Sequence, residues 1–154
     1  MALELVESAI DSLKAYLSVN MADTVASLNN EYNDGITLHD MDDWYVAMIP
    51  DISSFPSGII LGNSGGPEGE GGGWLKSQHM IDIIVVATDQ DAEILQRMQY
   101  RYIRALIVLC KSCRTTIGYQ VNIAGWDFSE NFYEGYSNVS GSKLSIILKK
   151  SENS

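Results

Sequence analysis

Basic residues are scarce in this 154-residue chain: ten Lys and Arg stand against twenty Asp and Glu, a formal net charge of −10. Holding nucleic acid requires cations that displace counterions from phosphates, so this balance argues against sequence-specific DNA binding. Two readings of the acidity stand. It keeps the protein soluble, or it makes a like-charged wall past which DNA slides without sticking. Cysteine is scarcer still, with Cys110 and Cys113 alone. One C-x-x-C lacks the further ligands of a zinc site. It also falls at the C-terminal end of a predicted helix, where the dipole opposes a thiolate, so it reads as packing in a reducing compartment. No apolar run approaches the roughly 18 residues of a membrane span. The opening MALELVESAIDSLKAYL carries acidic residues inside its apolar pattern and reads as a helix that stays, not a signal peptide.

What is present is a core. Hydrophobic residues make up 45% of the chain, which suits one domain over residues 1–154. Leu3, Val6, Ala9, Ile10, Leu13, Tyr16 and Leu17 recur at the spacing of one helical face, and Ala22, Val25 and Leu28 suggest a further turn or two. NNEYNDG then stops the helix at Gly35. Trp44, Tyr45 and Val46 suit a short strand, and Pro50 and Pro56 bracket a turn-rich connection. Residues 58–62 and 79–89 predict two facing strands. In the second, Met80, Asp82, Ile84 and Val86 share one face and Ile81, Ile83 and Val85 the other, so cover on both sides is expected. A long helix follows over about 90–112, capped by Asp89 or Asp91. Its stripe of Ile94, Met98, Tyr102, Leu106 and Leu109 is flanked by Ile103, Ile107 and Cys110, so it needs cover on more than one side. Residues 119–127 and 142–150 read as a closing hairpin around a loop at 128–141, with SENS at 151–154 frayed. This order predicts an α+β two-layer sandwich: a mainly antiparallel β-sheet packed against one long helix, with an N-terminal helix.

Between the first two strands lies GNSGGPEGEGGG, residues 62–73. Glycine loses the most entropy on ordering, so the stretch is slack or is ordered by something outside the chain. A phosphate loop aligned on Lys76 and Ser77 fails, because Glu70 and Leu75 stand where glycines are required. A serine elbow fails where Gly135-Tyr136-Ser137 continues to Asn138 and Val139. His39-Asp40-Met41-Asp42-Asp43 reads as solvated loop charges, since neighbours on an extended stretch alternate sides. His79 reads as a strand-edge residue. No residue is put forward as catalytic, cofactor-binding or metal-ligating. The aromatic residues Trp74, Trp126, Phe128, Phe132, Tyr133 and Tyr136 have two open readings, protein-contact anchors or caps on the ends of the core.

Residues 25–46, VASLNNEYNDGITLHDMDDWYV, resemble a pattern of tailed-phage neck and tail-completion proteins. There a helix ending L-N-x-E-Y-x-D-G-I-x-L leads to an aromatic pair and proline-rich extended chain. The later strand DIIVV, the helix segment RMQYRYIRAL and the closing hairpin are also similar, so the resemblance covers roughly residues 3–150. It implies a structural virion protein, a tail terminator whose copies form a ring, commonly hexameric, that caps the tail tube, stops its elongation and meets the head-completion proteins. The implied partners are other copies of the chain, the tail tube protein and the connector. DNA would pass through the bore without sequence-specific binding, no membrane is involved, and assembly is in the host cytoplasm. A stopper, adaptor or tube subunit is the rival within this class. A small cytoplasmic ligand-binding module or enzyme with a site near His39 is the rival outside it.

On this reading the glycine stretch is an assembly arm. The candidate assembly contacts are Gly65, Glu68, Glu70, Gly72 and Trp74 on the arm and Phe128, Phe132, Tyr133 and Tyr136 on the late hairpin. The candidates for subunit packing are Ile103, Leu106, Ile107 and Cys110.

Overall fold

The apolar stripe that begins at Ala9 does not stop at Leu17. Met21 takes the next turn, Val25 and Leu28 follow, and one helix, α1 (Val6–Tyr32), runs for 27 residues. The structure is a computed structural model that describes residues 6–47, 52, 54–69, 74–113, 118–130 and 138–153, by backbone alone at 66–69, 74–77, 129–130 and 150–153. The further turns expected at Ala22–Leu28 are continuous with the first helix. Asn20 Nδ2 donates to Tyr16 O at 2.8 Å and Thr24 Oγ1 to Asn20 O at 3.3 Å. Such side chains satisfy themselves on the preceding turn and need not end the helix. The predicted stop holds: Asn33 (φ 42) and Gly35 (φ 87) take the left-handed region just past Tyr32.

One sheet carries the rest, with strands β1 (Asp43–Tyr45), β2 (Ser57–Gly69), β3 (Trp74–Thr88), β4 (Gln120–Glu130) and β5 (Val139–Asn153). Their spatial order is β1-β2-β3-β5-β4. The β1–β2 pair is parallel and the other pairs are antiparallel. Between β3 and β4 in the chain runs α2 (Ala92–Ser112). Of the two candidate caps Asp91 does the work, accepting from Glu93 N at 2.9 Å and Ile94 N at 3.2 Å. Asp89 instead accepts from Asp91 N at 2.8 Å.

Both helices cover one face of the sheet. Leu13, Leu17 and Met21 from α1 and Tyr102, Leu106 and Leu109 from α2 meet Ile81, Ile83 and Val85 of β3 and Leu144, Ile146 and Leu148 of β5. Gln99 ties α2 down: its Nε2 donates to Ser140 O at 2.9 Å while its Oε1 accepts from Ser142 Oγ at 2.6 Å. The helices run antiparallel, with Tyr16 OH 2.9 Å from Ser112 Oγ at one end and Glu31 against Arg104 at the other. The architecture is the α+β sandwich that the element order predicts.

The opposite face is covered only in part. Ile52 closes over Ile59, Ile84 and Val86, with Tyr45, Phe55, Leu61 and Val139 around them. Cover on both sides of the 79–89 strand is thus met within one chain. Gly58 shows how closely β1 is held, because a Cβ there would come within 2.3 Å of the Trp44 ring. His79 corrects an expectation. It lies on β3, between β2 and β5, and is 7% exposed, so it is an interior residue and not an edge one.

Candidate assembly site

The glycine stretch is not a loop along most of its length. β2 passes under Val6 and Ile10 of α1 at Gly62 and continues to Gly69. Its residues Gly65–Gly69 pair with Leu75–His79 of β3, and on the other side of β3 the β5 residues Leu148–Asn153 pair with Trp74–His79. The arm is therefore a three-stranded ribbon that outruns the core, whose β3 members begin at Ile81. Two expectations change with it. Residues 62–69 are strand, and 151–153 are paired against β3 where fraying was expected. Sequence composition alone hides this, because long-range pairing fixes glycines that have no local preference.

A polar lock sits at the arm's base. β2 slips register between Gly62 and Ser64, and Asn63 at that bulge donates through Nδ2 to Asp82 Oδ2 at 3.1 Å. From β5, Ser145 Oγ donates to Asp82 Oδ1 at 2.7 Å. A carboxylate 9% exposed on β3 is thus held from both neighbouring strands, which fixes the register of all three. One residue further out, a Cβ on Gly65 would lie 2.8 Å from Gln78 O and 2.9 Å from His79 Nδ1, so glycine is required by close approach. Among the described residues, His79 Nε2 has no hydrogen-bond partner.

Residues from the 25–46 stretch and from α2 come together as a clamp at the far end of α1. Asn29 bonds Leu38 in both directions, Nδ2 donating to Leu38 O at 2.9 Å and Oδ1 accepting from Leu38 N at 2.8 Å. Arg101 grips Asp34 with both terminal nitrogens, Nη1 donating to Oδ1 at 3.0 Å and Nη2 to Oδ2. Its guanidinium also lies 3.9 Å from the centroid of the Tyr32 ring. Arg104 reaches Glu31 at 2.8 Å and donates to Tyr32 OH at 3.0 Å. The Arg101 hydrogen bonds hold the Asp34 carboxyl down at about 2, and the same contact raises Arg101. Beside the clamp, Tyr102 OH donates to His39 O at 3.0 Å and accepts from His39 N at 3.2 Å. Two acids three residues apart face two arginines three residues apart on an antiparallel helix. That matched spacing was the available signal.

The candidate contacts divide. Gly65 and Glu68 lie on β2, opposite His79 and Lys76, and Trp74 opens β3. Glu70 and Gly72 lie outside the described residues, as do Phe132, Tyr133 and Tyr136. The late loop is narrower than 128–141, since β4 reaches Glu130 and β5 starts at Val139. Phe128 is therefore a strand residue, half-buried against the core and edge-on to Tyr100 with centroids 4.8 Å apart.

Of the four residues expected at subunit contacts, three are corrected. Ile103, Leu106 and Cys110 are buried in the chain's own core, and Ile107 packs half-buried against it. The girth of α2 is covered by α1 on one side and the sheet on the other. Burial also pushes the Cys110 thiol upward, and Cys113 Sγ donates to Cys110 O at 3.2 Å, which fits a packing role for the pair.

The His39–Asp43 run is spent on local bonds. Asp40 Oδ1 accepts from Met41 N at 2.8 Å and Asp43 Oδ2 from Ser54 Oγ at 2.8 Å. Among the described residues, no three His, Cys, Asp or Glu side chains gather into a group that could hold a metal. Nor is any described helix long and apolar enough to cross a membrane. No protein-family model matches the chain, and no curated protein matches it.

Proposed function

We propose that this chain is a structural, non-enzymatic part of a tailed-phage neck. In this reading it is a tail terminator whose copies close into a ring on the tail tube, stop tube growth and join the tube to the head-completion complex. The observation that carries it is the clamp. Glu31, Tyr32 and Asp34 from one part of the resemblance meet Arg101 and Arg104 from the other, so the shared residues form one structural unit. The ribbon arm supports the same reading, because a strand extension beyond the core gives little to the subunit and much to a neighbour that it reaches. The acidic balance suits a bore through which DNA passes without being held. The reading no longer leans on the apolar girth of α2, which one chain satisfies.

Mass photometry of the purified protein, alone and with tail tube protein, tests it. A closed oligomer of fixed mass is the expected result. A strict monomer in both samples would refute the ring, and open filaments from the protein alone would instead assign a tube subunit.

A further inference from the structure

The turn that ends α1 holds the one Asp-Gly pair of the chain, Asp34–Gly35. In such a pair the glycine backbone nitrogen can attack the side-chain carboxyl of the preceding residue, because no side chain on the glycine stands in the way. The turn is open to that reaction. Residues 33–35 are exposed, Asn33 and Gly35 take the left-handed region, and a Cβ on Gly35 would meet nothing within 4 Å. Asp34 is nevertheless held. Its Oδ1 accepts from Arg101 Nη1 at 3.0 Å and from Ile36 N at 3.3 Å, and its Oδ2 accepts from Arg101 Nη2. Arg101 is itself fixed, since it is buried and lies over the Tyr32 ring, whose hydroxyl accepts from Arg104. A planar fork on both oxygens sets the orientation of the carboxyl as well as its charge.

We infer that Asp34–Gly35 is a site of spontaneous isoaspartate formation and that Arg101 is the residue that holds the reaction back. The chemistry balances with water alone. Gly35 N bonds to Asp34 Cγ, and the carboxyl OH departs with the amide proton as water, leaving a cyclic imide. Water then adds back to the imide. Breaking the Cγ–N bond restores Asp34. Breaking the bond between the Asp34 backbone carbonyl carbon and Gly35 N instead routes the main chain through the side chain, one carbon longer. Ring closure needs two things that the clamp denies. Cγ must turn onto Gly35 N, whereas the fork aims both carboxyl oxygens at α2. The carboxyl must also be protonated, since a carboxylate is a poor electrophile, and the Arg101 contact favours the ionised form. The lengthened turn would carry the new carboxyl out of register with Arg101 and loosen the end of α1 from α2. The clamp is thus a chemical guard as well as a tie, and this holds whether or not the chain belongs to a phage neck.

The test ages the full chain at neutral pH and reads it by peptide mapping, which separates isoaspartyl from aspartyl peptides of equal mass. Folded wild type is compared with wild type in urea and with the variants Arg101→Met, Arg101→Lys and Leu106→Ala, each checked for folding by circular dichroism. Folded wild type is expected to gain isoaspartate at Asp34 about tenfold or more slowly than the unfolded chain, the scale set by a carboxyl lowered from 3.8 to about 2. Arg101→Met is expected to lose most of that protection, and Arg101→Lys, which keeps the charge without the fork, to lose part of it. Leu106→Ala, destabilised in the core and outside the clamp, is expected to keep it. The inference is overturned if folded Arg101→Met ages no faster than wild type, or if wild type ages as fast folded as unfolded. It is overturned too if Leu106→Ala ages as fast as Arg101→Met, because any loosening of the fold would then suffice. Should Arg101→Met not fold, Arg101→Lys decides, and a rate equal to that of wild type overturns the inference.

Discussion

Tyr102 serves two backbone groups with one oxygen, donating to His39 O and accepting from His39 N. It is fully buried, so Tyr102→Phe should cost about 1–2 kcal/mol in a urea titration. Burial raises its phenol from 10.0 to about 12. A raised pKa means that this contribution is complete below pH 10 and is lost as pH climbs toward 12, a loss that the Phe variant should not show. Asp34 works in the other direction. Arg101 lowers it from 3.8 to about 2, so its contribution is present above pH 4 and is lost as pH falls through 2. The Asp34→Asn variant should show a flatter acid limb in that window when stability is followed by tryptophan fluorescence. Apart from the matched spacing of the two acids and two arginines, the sequence does not show these partners, for a plain reason. Asp34 and Arg101 are 67 positions apart, and only the antiparallel packing of two helices joins them.

At the scale of elements, the stripe on α2 was legible because period and burial agree. Leu106 sits at its centre with no exposure. Leu106→Ala should cost about 2–5 kcal/mol by chemical denaturation, through lost transfer energy and the cavity left behind, and Leu106→Asp should not fold. What the pattern could not say was what covers the helix. The other flank, expected as a subunit surface, is sealed by α1, which joins the apolar face ending at Leu17 and the turns at Ala22–Leu28 into one helix. In the strands the apolar runs were legible and their extent was not. A near-continuous apolar run marks β3 from Ile81 onward, but the ribbon beyond it mixes glycine with polar and charged residues such as Glu68, Lys76, Gln78 and Glu152, whose strand state is fixed by partners on other strands.

At the scale of the whole molecule, the fold divides into a sandwich that holds the core and a ribbon that runs on past Leu148 of β5, the last described core member on that strand. Removing Gly65–Gly72 takes away the β2 partners of Leu75–His79, none of which is a described member of the hydrophobic core, so the melting temperature should stay close to that of the parent. The same deletion should abolish co-sedimentation with tail tube or head-completion protein. A large drop in melting temperature would show instead that the arm is part of the fold.

The pairing of Asn153 with Trp74 has a practical corollary. A group attached at position 153 would stand beside the first residue of β3, at the outer end of the ribbon where docking is proposed. A bulky tag there should obstruct particle assembly, whereas a small fluorophore at the same spot would report, by a change in its polarisation, the moment the ribbon is captured.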